Sequence, residues 1–259
     1  MYIDLLGTYI PPYGLFISVG FICALFSAYL LCKFLRCDYY DFLIIAFILL
    51  ASGFIGAKIL YLIVNINRIN LKLIFSNIQS FASFLNSGFV FYGGLIGGSI
   101  SLFLIYKFLK IDIKKYEKIL VPSIVIAHAF GRIGCAFAGC CYGKPTEGFL
   151  YVQYSSSSYA PTGIKLVPVQ AIESSFLFLL FFCIVLLIIK RIKIRFTLFY
   201  LLLYSIFRFV IEFFRNDFLR GNICFLSTSQ FISILIFIGT IIYLIFDYFS
   251  FHKNDRCSL

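Results

Sequence analysis

Residues 197–215 read Thr-Leu-Phe-Tyr-Leu-Leu-Leu-Tyr-Ser-Ile-Phe-Arg-Phe-Val-Ile-Glu-Phe-Phe-Arg. The run to Phe214 approaches the roughly 20 apolar residues that a helix needs to cross a bilayer. Its ionisable residues, Arg208, Glu212 and Arg215, are spaced i, i+4, i+7 and so share one helical face. An i, i+4 pair of opposite charge lowers the cost of burying both groups. It also leaves one guanidinium with donors for a phosphate, which arginine matches through two parallel N–H bonds. The segment therefore predicts a membrane-spanning helix that carries charge on one face near one end.

The rest of the chain repeats the apolar pattern. Further runs occur at 13–32, 42–64, 88–106, 118–137, 170–189 and 228–249, which with 197–214 predicts an all-α polytopic membrane protein of seven spans. The 259 residues are 62% hydrophobic and 13% charged, with a mean hydropathy of +1.00. A soluble domain is about half apolar and about a quarter charged. These values exclude an ordinary soluble enzyme, a disordered chain and a small disulfide scaffold. The chain reads as a single membrane-embedded domain over 1–259. Its start has no basic n-region and no small-residue cleavage site, so the first run is expected to be a retained helix. Several of the nine cysteines fall inside apolar runs, where cysteine behaves as a small hydrophobe.

The net charge of +11 would suggest nucleic acid in a soluble protein. Here the cations sit in short loops, so no nucleic-acid partner is expected and the bilayer itself is the partner. Segments 33–41, 107–118, 190–196 and the tail after 249 hold 13 Lys and Arg, against 6 in the N-terminus, 65–87, 138–169 and 215–227. That bias predicts the N-terminus outside and the C-terminus in the cytoplasm. Tyr13, Lys58, Tyr92, Gly93, Gly94, Arg132, Cys135, Glu173, Arg208, Glu212 and Arg215 then all fall in the outer half of their spans. Such clustering points to one site open to the outer leaflet.

On the fourth run, His128, Arg132 and Cys135 repeat the i, i+4, i+7 spacing. An imidazole, a cation and a thiol thus share a face, although a buried structural histidine beside a packing cysteine accounts for the same pattern. Tyr92-Gly93-Gly94-Leu95-Ile96-Gly97-Gly98 carries glycines at i, i+4 twice, the spacing of close helix packing and also of a backbone bare enough for a lipid headgroup. Gly131-Arg132-Ile133-Gly134-Cys135-Ala136-Phe137-Ala138-Gly139-Cys140-Cys141-Tyr142-Gly143 is richer in glycine and cysteine than a helix exit needs. Its Cys-x4-Cys-Cys spacing is not the usual zinc pattern, so no metal is expected. A disulfide among Cys135, Cys140, Cys141 and Cys224 is left open by the sequence.

With these residues in view, the chain resembles the prolipoprotein diacylglyceryl transferase family from about Tyr13 to Gln230. Tyr13-Gly14-Leu15 looks like its Tyr-Gly motif, and Gly56-Ala57-Lys58 its Gly-Gly-Arg. Tyr92-Gly93-Gly94-Leu95 resembles its His-Gly-Gly-Leu, and Gly131 through Gly143 its Gly-Arg-x-Gly-Asn segment. Pro168-Val169-Gln170 with Glu173 looks like Pro-x-Gln-x-x-Glu, and Phe207–Arg215 resembles its sixth-helix motif.

The resemblance implies a bacterial inner-membrane enzyme without metal or organic cofactor. Such an enzyme moves the diacylglyceryl group of phosphatidylglycerol to the lipobox cysteine of a preprolipoprotein signal peptide, releasing glycerol 1-phosphate. It implies catalytic roles for Arg132, Arg208, Tyr13 and Tyr92. Lys58, Gly93, Gly94, Gly134, Cys135, Gly143, Glu173, Glu212 and Arg215 would line the substrate. Tyr92, Cys135 and Cys140 stand where the family has His, Asn and Glu. A phenol of pKa about 10 is a poorer base than imidazole, so His128 is the candidate to take the thiol proton. Alternatives are a membrane thiol-redox protein using Cys135, Cys140 and Cys141, a related lipid transferase with another acceptor, and a non-catalytic binder of anionic lipid.

Overall fold

The computed structural model describes residues 3–5, 8–10, 12–66, 77–86, 89–157, 159–216, 222–223 and 225–256. In chain order these form β1 (Ile3–Leu5), β2 (Thr8–Ile10), α1 (Pro12–Leu35), α2 (Tyr39–Val64), α3 (Ile78–Asn86) and α4 (Phe91–Leu104). A π-helical turn, Ile105–Leu109, runs on from α4. Then come α5 (Ile113–Ala138), β3 (Val152–Gln153), β4 (Lys165–Leu166), α6 (Val169–Ile189), α7 (Phe196–Ile211), a 3₁₀ turn (Glu212–Phe214), β5 (Asn222–Ile223), β6 (Leu226–Ser227) and α8 (Thr228–Arg256). Each strand pair, β1–β2, β3–β4 and β5–β6, is a separate antiparallel ribbon.

Among the described residues, six helices are long and apolar enough to cross a membrane: Pro12–Leu35, Tyr39–Val64, Ile113–Ala138, Val169–Ile189, Phe196–Phe214 and Thr228–Asp247. They match six of the expected spans within a few residues. The remaining one, 88–106, corresponds to α4 and its π-helical extension. α5 begins at Ile113 rather than at 118 because Asp112 caps it, its Oδ1 accepting from Lys114 N at 3.0 Å. The polar segment 65–87 contains α3, whose entry is capped by Asn77 Oδ1 accepting from Ser80 N at 2.7 Å. The chain is a multi-pass, all-α membrane protein.

The chain divides into two compact units, Leu31–Leu120 and Met1–Leu30 with Val121–Leu259. Within the first, α2 and α4 meet backbone to backbone. A Cβ on Gly56 or on Gly93 would collide with the other's carbonyl oxygen, and Val90 N donates to Ala57 O at 3.2 Å. The glycine spacing is thus realised as close helix packing. The Tyr116 hydroxyl donates to Asp41 Oδ2 at 2.8 Å and anchors the start of α5 in the same unit.

In the second unit, α1 lies against α5 where Gly20 has Phe130 Cβ 2.7 Å from its own would-be Cβ. Phe16 and Phe137 stack at 4.8 Å nearby. Ser174 on α6 donates to Ala129 O on α5 at 3.0 Å. The interior holds Val125, Ala129, Leu177 and Ile184, together with the polar Gln170, Glu173, Arg208 and Arg215. Phe26, Leu179 and Phe182 face outward. Large apolar side chains outside and charged ones inside is the distribution that lipid as solvent selects.

Candidate active site

The site grows from Glu173, one turn into α6 and 2% exposed. Its Oε1 lies 3.0 Å from Arg132 Nε of α5 and accepts from the Tyr204 hydroxyl of α7 at 2.7 Å. Its Oε2 lies 3.5 Å from Arg208 Nη1, also of α7. One carboxylate therefore holds two guanidinium groups from separate helices. Arg208 Nη2 is 2.8 Å from Glu212 Oε2 and donates to Ser229 Oγ at 3.2 Å. Glu212 in turn accepts from Ser227 Oγ at 3.1 Å and lies 3.6 Å from Arg215 Nε.

Three guanidinium groups and two carboxylates leave one net positive charge in a buried place. The Arg132 side chain is 16% exposed, against 3% for Glu173 and Arg215, 7% for Glu212 and 9% for Arg208. Arg132 is therefore the most accessible member of the network. Arg132 Nε and Arg208 Nη1 lie within ion-pair distance of Glu173 but lack a hydrogen bond of good geometry among the described residues. Glu212 Oε2 is in the same state, and buried polar atoms of that kind are costly to leave unpaired.

Other expected site residues surround this network. Gly134 leaves room for Tyr13: a Cβ there would meet Tyr13 O at 3.2 Å and its ring at 3.3 Å. His128 Nδ1 lies 3.3 Å from the Tyr200 hydroxyl, and its ring sits edge-on to Tyr204 at 5.1 Å. Gly143 forms a bridge with Arg215, and a Cβ on it would strike Val167. Lys144 N donating to Phe214 O at 2.8 Å continues that seam, so the loop after α5 fixes where the chain emerges beyond α7. Gly143 serves by being bare backbone.

Lys58, Tyr92, Gly93 and Gly94 belong to the other unit. The Lys58 ammonium bonds Phe84 O and lies 4.3 Å from the ring centres of both Phe84 and Phe89, where cation–π attraction helps hold it. Tyr92 is in the first turn of α4; its side chain, like Cys224, lies outside the described residues.

Tyr200, Tyr204, Ser227 and Ser229 were not singled out from sequence. Tyr204 and Tyr200 stand four and eight residues before Arg208, on the same face, and that spacing was the available signal.

Cys135, Cys140 and Cys141 place their sulfurs within 4.8 Å of one another. The Cys140 thiol is pushed above the ordinary thiol range by its contacts with Cys135 and Cys141 and by burial. Gln170 Nε2 donates to Cys140 O at 2.9 Å, and the Tyr154 hydroxyl donates to Ala136 O at 2.9 Å, so the end of α5 and the loop after it are pinned to α6 and to the residue following β3.

The fold and site define a multi-pass membrane protein with a buried network of three arginines and two glutamates that carries one net positive charge. A family model described as prolipoprotein diacylglyceryl transferase matches residues 1–246. A phosphatidylglycerol–prolipoprotein diacylglyceryl transferase of Clostridium tetani is 38% identical over 242 residues, covering 93% of this chain and 94% of its own length. One from Clostridium perfringens is 38% identical over 248 residues, 92% of this chain and 91% of its own. One from Clostridium botulinum is 31% identical over 253 residues, 94% of each. The chain belongs to the prolipoprotein diacylglyceryl transferase family.

Proposed function

We propose that this chain transfers the diacylglyceryl group of phosphatidylglycerol to the lipobox cysteine thiol of a preprolipoprotein signal peptide, in a bacterial inner membrane and at its outer leaflet. The observation that carries the reading is the Glu173 carboxylate holding Arg132 and Arg208 from separate helices. The acceptor thiolate attacks the glycerol carbon that bears the phosphate. A C–S bond forms, the C–O bond breaks, and glycerol 1-phosphate leaves. The phosphate begins as a diester with one negative charge and ends as a monoester carrying more. Arg132 and Arg208, fixed in advance by Glu173 and Glu212, stabilise the charge that develops on the departing oxygen. Arg215 adds positive potential behind Glu212. Tyr13, seated on Gly134, positions the headgroup or the acceptor, and Cys135 and Gly143 shape the wall beside it. Lys58, Gly93 and Gly94 are the further substrate-binding candidates that the family resemblance implies.

The thiol proton goes to His128, whose neutral imidazole is oriented by Tyr200; the Tyr92 phenol is the other candidate. The test is a transfer assay with labelled phosphatidylglycerol and a lipobox peptide in mixed micelles. Thioether-linked peptide and glycerol 1-phosphate in equal amounts support the reading. Folded protein that binds the lipid without turnover, or that oxidises thiols instead, refutes it. His128→Gln should lower transfer by about 10²-fold, within the range of general-base catalysis. An unchanged rate in His128→Gln with a loss in Tyr92→Phe moves the base to Tyr92.

A further inference from the structure

The thiol cluster at the exit of α5 has no role in the transfer chemistry that needs three sulfurs. Cys135 is in the last turn of α5, and Cys140 and Cys141 follow the helix end. Two backbone features bring them back together. Gly139 has φ +73°, and Cys141, a residue with a Cβ, has φ +59°. Left-handed backbone at a non-glycine residue costs about 1–2 kcal/mol and persists where the surroundings enforce it. Here Gln170, 2% exposed, enforces it by bonding the Cys140 carbonyl.

We propose that Cys135, Cys140 and Cys141 form a three-thiolate site for a soft divalent cation of the zinc type, with a fourth position open. The donor set is all sulfur, which selects zinc or cadmium over magnesium or calcium. Zinc–sulfur bonds of about 2.3 Å in a tetrahedron set sulfurs about 3.8 Å apart. The sulfurs here all lie within 4.8 Å of one another, so closure asks for side-chain movements of no more than about 1 Å toward that geometry. Each thiol gives up its proton on binding, and the three thiolates with a divalent ion carry one net negative charge. Arg132, one turn before Cys135 and within electrostatic reach of Cys135 and Cys141, offsets that charge.

The site shares Arg132 and Cys135 with the proposed substrate region, so its test uses an optical readout that does not depend on transfer. The full-length chain, purified in detergent under reducing conditions and stripped with a chelator, is titrated with Co²⁺ and then Cd²⁺. Expected are sulfur-to-metal charge-transfer bands that saturate at about one metal per chain and are displaced by Zn²⁺. Cys140→Ser should weaken binding by at least about 100-fold, the upper end of what losing a supporting contact alone removes. Cys141→His, which keeps a ligand atom, should restore binding with an altered cobalt spectrum. Cys23→Ser and Cys183→Ser, on other helices, should change nothing. Absence of saturable binding overturns the proposal, as does a charge-transfer band that survives in a folded Cys140→Ser chain.

Discussion

Replacing Glu173 by Gln removes one charge and almost no volume, and it tests the logic of the site directly. The carboxylate pairs with Arg132 at 3.0 Å and with Arg208 at 3.5 Å. Two unit charges about 4 Å apart interact by about 4 kcal/mol at an effective dielectric of 20. The two pairs together come to about 8 kcal/mol on that basis; glutamine no longer has to be desolvated as an ion, so the net cost falls to the about 3–5 kcal/mol measured when one partner of a buried pair is removed. The amide oxygen still accepts from Tyr204, so the local fold is kept while the network goes from one net positive charge to two. Binding of an anionic lipid then has no reason to weaken, whereas the two guanidinium groups repel and lose their alignment. Glu173→Gln should therefore show an unchanged or lower KM for phosphatidylglycerol and a kcat about 10²–10³-fold lower, the size of losing a preorganised oxyanion donor. The assay is transfer to a lipobox peptide, paired with thermal unfolding in detergent followed by tyrosine absorbance, since the chain has no tryptophan. A raised KM with unchanged kcat would refute the argument, because it would make Glu173 a simple part of the binding wall.

Three further substitutions probe other parts of the same structure. Arg208→Lys keeps the charge but cannot reach Glu173, Glu212 and Ser229 together; kcat should fall by about 10²-fold, measured in the same transfer assay. Gly134→Val forces Tyr13 aside and should lower transfer, whereas Gly239→Ala, which meets nothing within 4 Å, should leave the rate unchanged. Tyr154→Phe removes one of two donors to the Ala136 carbonyl, which still accepts from Gly139 N at 3.2 Å, and should cost about 0.5–1.5 kcal/mol of stability, read by unfolding. Burial holds the Tyr154 phenol above its ordinary value of 10.0. The folded chain thus keeps a proton that the unfolded chain loses near that pH. Its contribution is complete below pH 10 and lost as pH rises beyond it, so Tyr154→Phe should flatten the alkaline side of a stability–pH curve.

Much of this was legible in the sequence because lipid imposes a simple rule. Length and hydropathy located the spans, and i, i+4 spacing put Arg132 on one face with His128 and Cys135, and Arg208 on one with Glu212. What spacing along one helix cannot supply is the partner on another. Glu173 looked like one residue of a motif, and only packing of α5, α6 and α7 makes it the hub of two arginines. The short α3 lay hidden because 65–87 lacks a span-length apolar run. The convergence of Cys135, Cys140 and Cys141 depends on left-handed backbone at Gly139 and Cys141, and a residue with a Cβ gives no local warning that it adopts such a conformation.

The charge network is better explained by chemistry than by stability. Apolar side chains of similar volume in place of a buried ion network often leave a protein as stable or more so, and in a membrane the apolar choice is cheaper still. Arg132, Glu173, Arg208, Glu212 and Arg215 nonetheless occupy the interior, joined to Tyr204, Ser227 and Ser229. A purely structural arrangement would balance its charges and satisfy its donors. This one keeps one positive charge in excess, leaves Arg132 Nε, Arg208 Nη1 and Glu212 Oε2 short of well-aligned partners among the described residues, and has Arg132 as its most exposed member. On the proposed function, the phosphodiester of the lipid balances the excess charge from the Arg132 side.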